Sequence, residues 1–138
     1  MRRRMSSEVT VNAQCRMLVT SARTLVDRTW TNDPVPYDAL LGEARALLER
    51  ALDDNPDEVA VLTCLGAVLC GLRLHAEARE YLVEAIHLGS TDRNTYFNLF
   101  VAMLERSSMN EARAVLKRGA AFTADPLTWE AYFDPHAM

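Results

Sequence analysis

At 138 residues the chain has the length of one domain that can bury a core without staples. Its hydrophobic fraction of 49% and charged fraction of 25% lie outside the disordered class. A net charge of −4 argues against a nucleic-acid partner, because phosphate binding needs a clustered positive field.

The chain opens with Arg2-Arg3-Arg4. A secretory signal would follow such charges with an apolar run, and Ser6, Ser7, Glu8, Asn12, Gln14 and Arg16 interrupt it. No stretch approaches the length of a membrane span, so a cytoplasmic protein without a membrane partner is expected.

From about Glu8 to Trp30, Val11, Cys15, Leu18, Val19, Ala22, Leu25 and Val26 recur at helical spacing and predict an amphipathic first helix. Thr31 to Pro36 holds two prolines with Asn and Asp and predicts a loop. A second helix is expected from Asp38, as N-cap, to Asp54, with Asn55-Pro56 as its stop. Asp57 is placed to cap a third, running to Gly71, and a fourth spans His75 to Leu88 with Gly89 as a left-handed cap. Thr91 or Asp92 opens a fifth, Ser107 or Ser108 a sixth ending near Phe122. After Asp125-Pro126, a segment with Trp129, Tyr132 and Phe133 is expected to cap the last helices as a short helix of its own. No window alternates long enough to predict a strand, so the fold class is all-α, with short turns joining antiparallel helices.

A second signal runs through these elements. Glu43-Ala44-Arg45, Glu77-Ala78-Arg79 and Glu111-Ala112-Arg113 each follow the last by 34 residues. Leu48, Leu82 and Leu116 keep the register, as do the small residues Ala51, Ala85 and Gly119. A fixed period of this size marks an array of supersecondary units that bury their apolar faces on one another.

Helix pairs of this period, with Leu62, Leu65, Gly66, Leu69, Ala78, Leu82 and Ala85 in one copy, resemble the tetratricopeptide repeat family. Tyr96, Leu99, Phe100, Met103, Ala112, Leu116 and Gly119 form the next copy, and Ala44, Leu48, Ala51, Leu52 and Pro56 part of the one before. Phe100 departs from the pattern, standing where a small residue belongs. The resemblance implies a short right-handed solenoid of about three hairpins. Residues 8–56 would be a degenerate first repeat with a loop insertion at 31–37, residues 57–91 the second, 92–124 the third and 125–138 a capping tail.

The resemblance also implies a concave groove that binds a segment of another protein. The positions that line it in the family fall here on Ala60, Thr63, Ala67 and Cys70, then Asn94, Phe97, Val101 and Leu104. Without Lys or Arg this lining is unsuited to gripping a C-terminal carboxylate, while Asn94 and Asn98 can bond a peptide backbone. The chain's own ends are the expected filling of this groove. Small size, acidity and a long first helix are also similar to type III secretion chaperones, which implies an exported partner and a homodimer through the first helix. A regulatory subunit of an enzyme is the alternative from another class.

Nothing points to catalysis or to a cofactor: the sequence has no Ser elbow, Gly-rich phosphate loop or paired-acid motif. His75, His87 and His136 lack metal-ligand neighbours at shared-face spacing. Cys64 and Cys70, six residues apart, diverge by about 240° around a helix. With Cys15 they read as small buried thiols of a reducing compartment. Arg45, Arg79 and Arg113 alternate with Glu43, Glu77 and Glu111 and predict a solvated face of mixed charge.

Overall fold

The computed structural model describes residues 11–131, and all regular structure among them is helical. Six helices follow in order: α1 (Ala13–Arg28), α2 (Tyr37–Asp54), α3 (Val59–Gly71), α4 (His75–His87), α5 (Arg93–Met103) and α6 (Met109–Gly119). They pack as three consecutive hairpins, α1 with α2, α3 with α4 and α5 with α6, and each hairpin stacks on the next. The inner helices α1, α3 and α5 also touch along the stack. The described residues thus form an all-α array of paired helices, followed by a segment at 125–131 that lies across it.

Local chemistry sets the helix ends, with some shifts from the sequence expectation. Glu8 lies outside the described residues; Asn12 caps α1 by accepting from the Cys15 amide at 2.8 Å. The N-cap of α2 lies two residues earlier than expected: Pro36 holds that position and Asp38 sits in the first turn, where its charge meets the helix dipole. Glu58, rather than Asp57, precedes α3, and neither α2 nor α3 has a side-chain cap. Asp92 caps α5 through the Asn94 amide, and Ser108 forms a capping box with Glu111 on α6. Gly89 takes the left-handed conformation, with φ 92°. At the end of α3 that role falls to Arg73, φ 64°, two residues past Gly71.

The repeat register is visible in burial. Ala44, Ala78 and Ala112 are all fully buried, as are Ala51 and Ala85. Small residues permit close approach between paired helices. A Cβ on Gly66 would stand 2.5 Å from Leu82 Cγ, so α4 rests its leucine in the space that Gly66 leaves on α3. Phe100 fills the equivalent place on α5, and the arrangement there is inverted. Gly119 on α6 leaves the space, and Tyr96 on α5 fills it. Leu116, with no gap to enter, is 36% exposed where Leu48 and Leu82 are fully buried.

The helix α3 is the centre of the core. Every residue from Ala60 to Cys70 is buried, because α2, α4 and α5 surround it on three sides and the 125–131 segment covers much of the fourth. A helix apolar all round needs such cover. On the outer face, Arg45 pairs with Glu49 within α2 and with Glu77 on α4, both at 3.0 Å, so that the first Glu-Ala-Arg triplet is bridged to the second. Both pairs are half in water and contribute little each.

Candidate functional site

The concave face is formed by α3 and α5, and it is occupied. Residues 125–131 lie across it, a turn at 125–128 followed by an irregular stretch at 129–131, and reach Arg23 of α1 at the far side. The capping helix expected over the last hairpin is absent from 125–131: the segment is non-helical and lies over the middle of the stack instead. Tyr132 and Phe133, which belonged to the same expectation, lie outside the described residues.

Two groups of hydrogen bonds hold the segment. The first is built on Asp92, whose two carboxylate oxygens serve both a helix and the tail. Oδ1 accepts from the amides of Asn94 and Asp125, each at 2.9 Å, and Oδ2 accepts from Thr128 Oγ1 at 2.6 Å. Asn94 Nδ2 donates to the same hydroxyl at 3.0 Å. Thr128 Oγ1 lies 3.0 Å from the Asp125 carbonyl and the Leu127 amide donates to Asp125 Oδ1, so residues 125–128 form a tight turn against the start of α5.

The second group is built on Asn98, which is fully buried. Its Nδ2 donates to the carbonyls of Trp129 at 3.1 Å and Thr63 at 3.2 Å, and its Oδ1 accepts from the Ala131 amide at 2.7 Å. One carboxamide therefore pairs with the backbone of the segment as a neighbouring β-strand would, skipping the exposed Glu130. Because it reads only the backbone, the pairing does not depend on which side chains the segment carries.

Between these groups Trp129 is buried. Its ring lies beneath the Arg23 guanidinium of α1, 5.5 Å from the ring centroid. The Cys64 thiol, beneath the tail on α3, contacts the Leu127 carbonyl at 4.0 Å. Burial pushes the Cys64 thiol far above its ordinary range, Asp92 adding to the effect and the Trp129 amide opposing it. Burial alone raises Cys70 to about 12. Cys15 is also raised, by burial and then by Glu58. All three cysteines are free.

The anticipated groove residues come together in part. Asn94 and Asn98 grip the tail and Ala67 lies beside Trp129, while Ala60, Thr63 and Cys70 are buried. Cys70 Sγ faces the Asn98 carbonyl at 3.8 Å, tying α3 to α5 rather than facing the segment. Thr63 Oγ1 meets Thr95 Oγ1 at 2.6 Å, and Thr95 meets Ser90 Oγ at 2.8 Å, so this threonine belongs to a buried relay of hydroxyls between hairpins. Val101 is buried, and Leu104 and Phe97 are partly so, Phe97 packing on Phe100 at 6.0 Å between ring centroids.

Sequence reasoning missed Arg23, Asp92 and Thr128 as tail contacts. Asp92 was legible only as a cap, since its second oxygen serves a hydroxyl 36 residues away. Beside Trp129 a cavity of about 200 Å³ opens between α1, α2 and α3, lined by Val26, Trp30, Tyr37, Leu41, Val68 and Gly71 among others. Its walls are mainly apolar and aromatic.

His75 Nδ1 approaches Glu105 Oε1 at 3.3 Å without hydrogen-bond geometry. Among the described residues no group of three His, Cys, Asp or Glu is placed to hold a metal ion. No helix among them is long and apolar enough to cross a membrane. A scan of known protein families finds no match to this chain, and a search of curated proteins finds none either.

Proposed function

We propose that the chain is a protein-interaction scaffold of the tetratricopeptide kind, which holds an extended segment of a partner protein along its concave face. The observation that carries this reading is the Asn98 carboxamide, paired with the carbonyl of Trp129 and the amide of Ala131. Backbone pairing supplies affinity for any extended segment, while the space taken by Trp129 supplies selection among side chains. The α3 side of the face offers the small residue Ala67 beside Trp129, which suits an apolar side chain of a peptide. Three free, buried thiols accord with a reducing, cytoplasmic setting. Catalysis has no part in this reading.

The test is capture from native lysate on the full chain and on an Asn98→Leu variant, with mass spectrometry of what is retained. A partner held by the wild type and lost from the variant, at unchanged helical circular dichroism, is the expected result. Identical captured sets would remove the concave face from the function.

A further inference from the structure

We infer that residues 125–131 are a resident stand-in for the partner, so that binding is an exchange: the incoming segment carries an aromatic residue, one arbitrary residue, then a small one, and displaces the tail. This rests on the groove reading and adds to it the chemistry of the ligand and the regulation of access.

The tail's own bonds separate into those any peptide could make and those only this tail makes. Asn98 and the space under Arg23 are general. They take a peptide backbone, an indole at Trp129 and a small side chain at Ala131, which is buried, with Glu130 pointing out. The bonds from Asp92 and Asn94 to Thr128 and the Asp125 amide are specific to the turn at 125–128, and they act as a latch.

Release of this segment breaks no helix. The preceding residues stay fixed by the Arg93 amide on the Thr123 carbonyl at 3.1 Å and the Arg93 guanidinium on the Phe122 carbonyl at 3.1 Å, so motion would begin at Ala124. Release alone would uncover Cys64, which contacts the Leu127 carbonyl, and Ala67, which lies beside Trp129, and this surface requires an apolar occupant. Hence the groove trades one segment for another. The Arg23 cation over the ring favours the electron-rich indole, so tryptophan ranks above phenylalanine at that place.

A tethered competitor acts at an effective concentration in the millimolar range, and the apparent affinity for an outside segment falls by the fraction of chains with the groove free. The experiment uses the full chain in a Cys15→Ser, Cys70→Ser background, with and without Thr128→Val plus Trp129→Ala in the tail. The probe is a fluorescent synthetic peptide with the sequence of residues 124–131, capped at both ends. A Thr128→Val single variant, which keeps the tryptophan, guards against loss of fold.

The peptide is expected to bind the double variant at least tenfold more tightly than the parent, and the single variant about threefold more tightly. Cys64 should become reactive to a thiol reagent in the double variant and be protected again by the peptide. A peptide with Phe for Trp should bind several-fold more weakly, one with Ala not measurably. Equal affinity for parent and variants would overturn the exchange while leaving a peptide-binding groove intact. No binding to either, with Cys64 reactive, would overturn the groove reading and this inference together. A parent chain that sediments as a dimer, dispersed by the tail substitutions, would assign the groove to a second copy and overturn the partner stated here.

Discussion

Asp33 ties the proline loop between α1 and α2 to the helix that precedes it. Arg28 grips its two oxygens at 2.7 and 3.1 Å and the Val35 amide adds a third bond at 2.9 Å. These contacts hold the Asp33 carboxyl below its ordinary value of 3.8, the Arg28 hydrogen bond contributing most. A lowered carboxyl contributes stability above its unfolded value, and that contribution is lost as the pH falls through the folded one. Asp33→Asn should therefore lower the melting temperature at neutral pH and flatten its decline below about pH 4. Thermal melts across pH 2 to 7 measure both. The loop itself is plain from Pro34 and Pro36, but the partner of Asp33 is not, since its geometry depends on how far α1 continues. The same limit explains the caps: Asp38 and Asp57 have capping chemistry, yet the helices start one residue before and two after them, with no side-chain cap.

On the scale of a helix, one register position has three different environments. Leu48 and Leu82 are fully buried on α2 and α4, whereas Leu116 on α6 is partly in water because Phe100 stands where Gly66 leaves space. Leu82→Ala is expected to cost about 2–5 kcal/mol through lost burial and a residual cavity. Leu116→Ala should cost about 1 kcal/mol or less, near the range of surface substitutions. Urea denaturation of the two variants decides the matter, and similar costs would contradict the inverted packing of the third hairpin. The period and the six helices were legible because apolar spacing and small residues report directly on helix pairing. The departure at Phe100 was legible too, but its remedy at Gly119 was not: that glycine already fitted the repeat, and only the Tyr96 ring beside it shows its second use. Asn94 and Asn98 stood out as backbone binders from their residue type. That the chain's own end would fill the groove was expected, but that residues 125–131 would do so without a helix and over the middle of the stack could not be read from spacing, because a non-repeating segment has no register to compare.

At the level of the whole molecule, stacked hairpins ordinarily touch only their neighbours, and their stability is a sum of local terms. The tail changes this by contacting α1 through Arg23, α3 through Cys64 and α5 through Asp92 and Asn98 at once. It couples the first hairpin to the third, a pair otherwise joined through the second. Unfolding of the parent chain should be a single transition, coincident by circular dichroism and by tryptophan fluorescence. Thr128→Val with Trp129→Ala should broaden the circular dichroism transition and part it from the fluorescence of the remaining Trp30, as the hairpins regain independence. A transition that shifts but stays sharp and coincident would mean that the hairpin interfaces alone make the unit cooperative.

Arg23 and Trp129 are 106 positions apart, and that separation bears on how the molecule is made. Translation delivers all six helices before the residues that shield the inner stripe of α3. In that interval a newly born chain presents bare apolar surface with a ready carboxamide beside it. On the proposed reading, a partner segment emerging nearby settles there first, without having to evict anything.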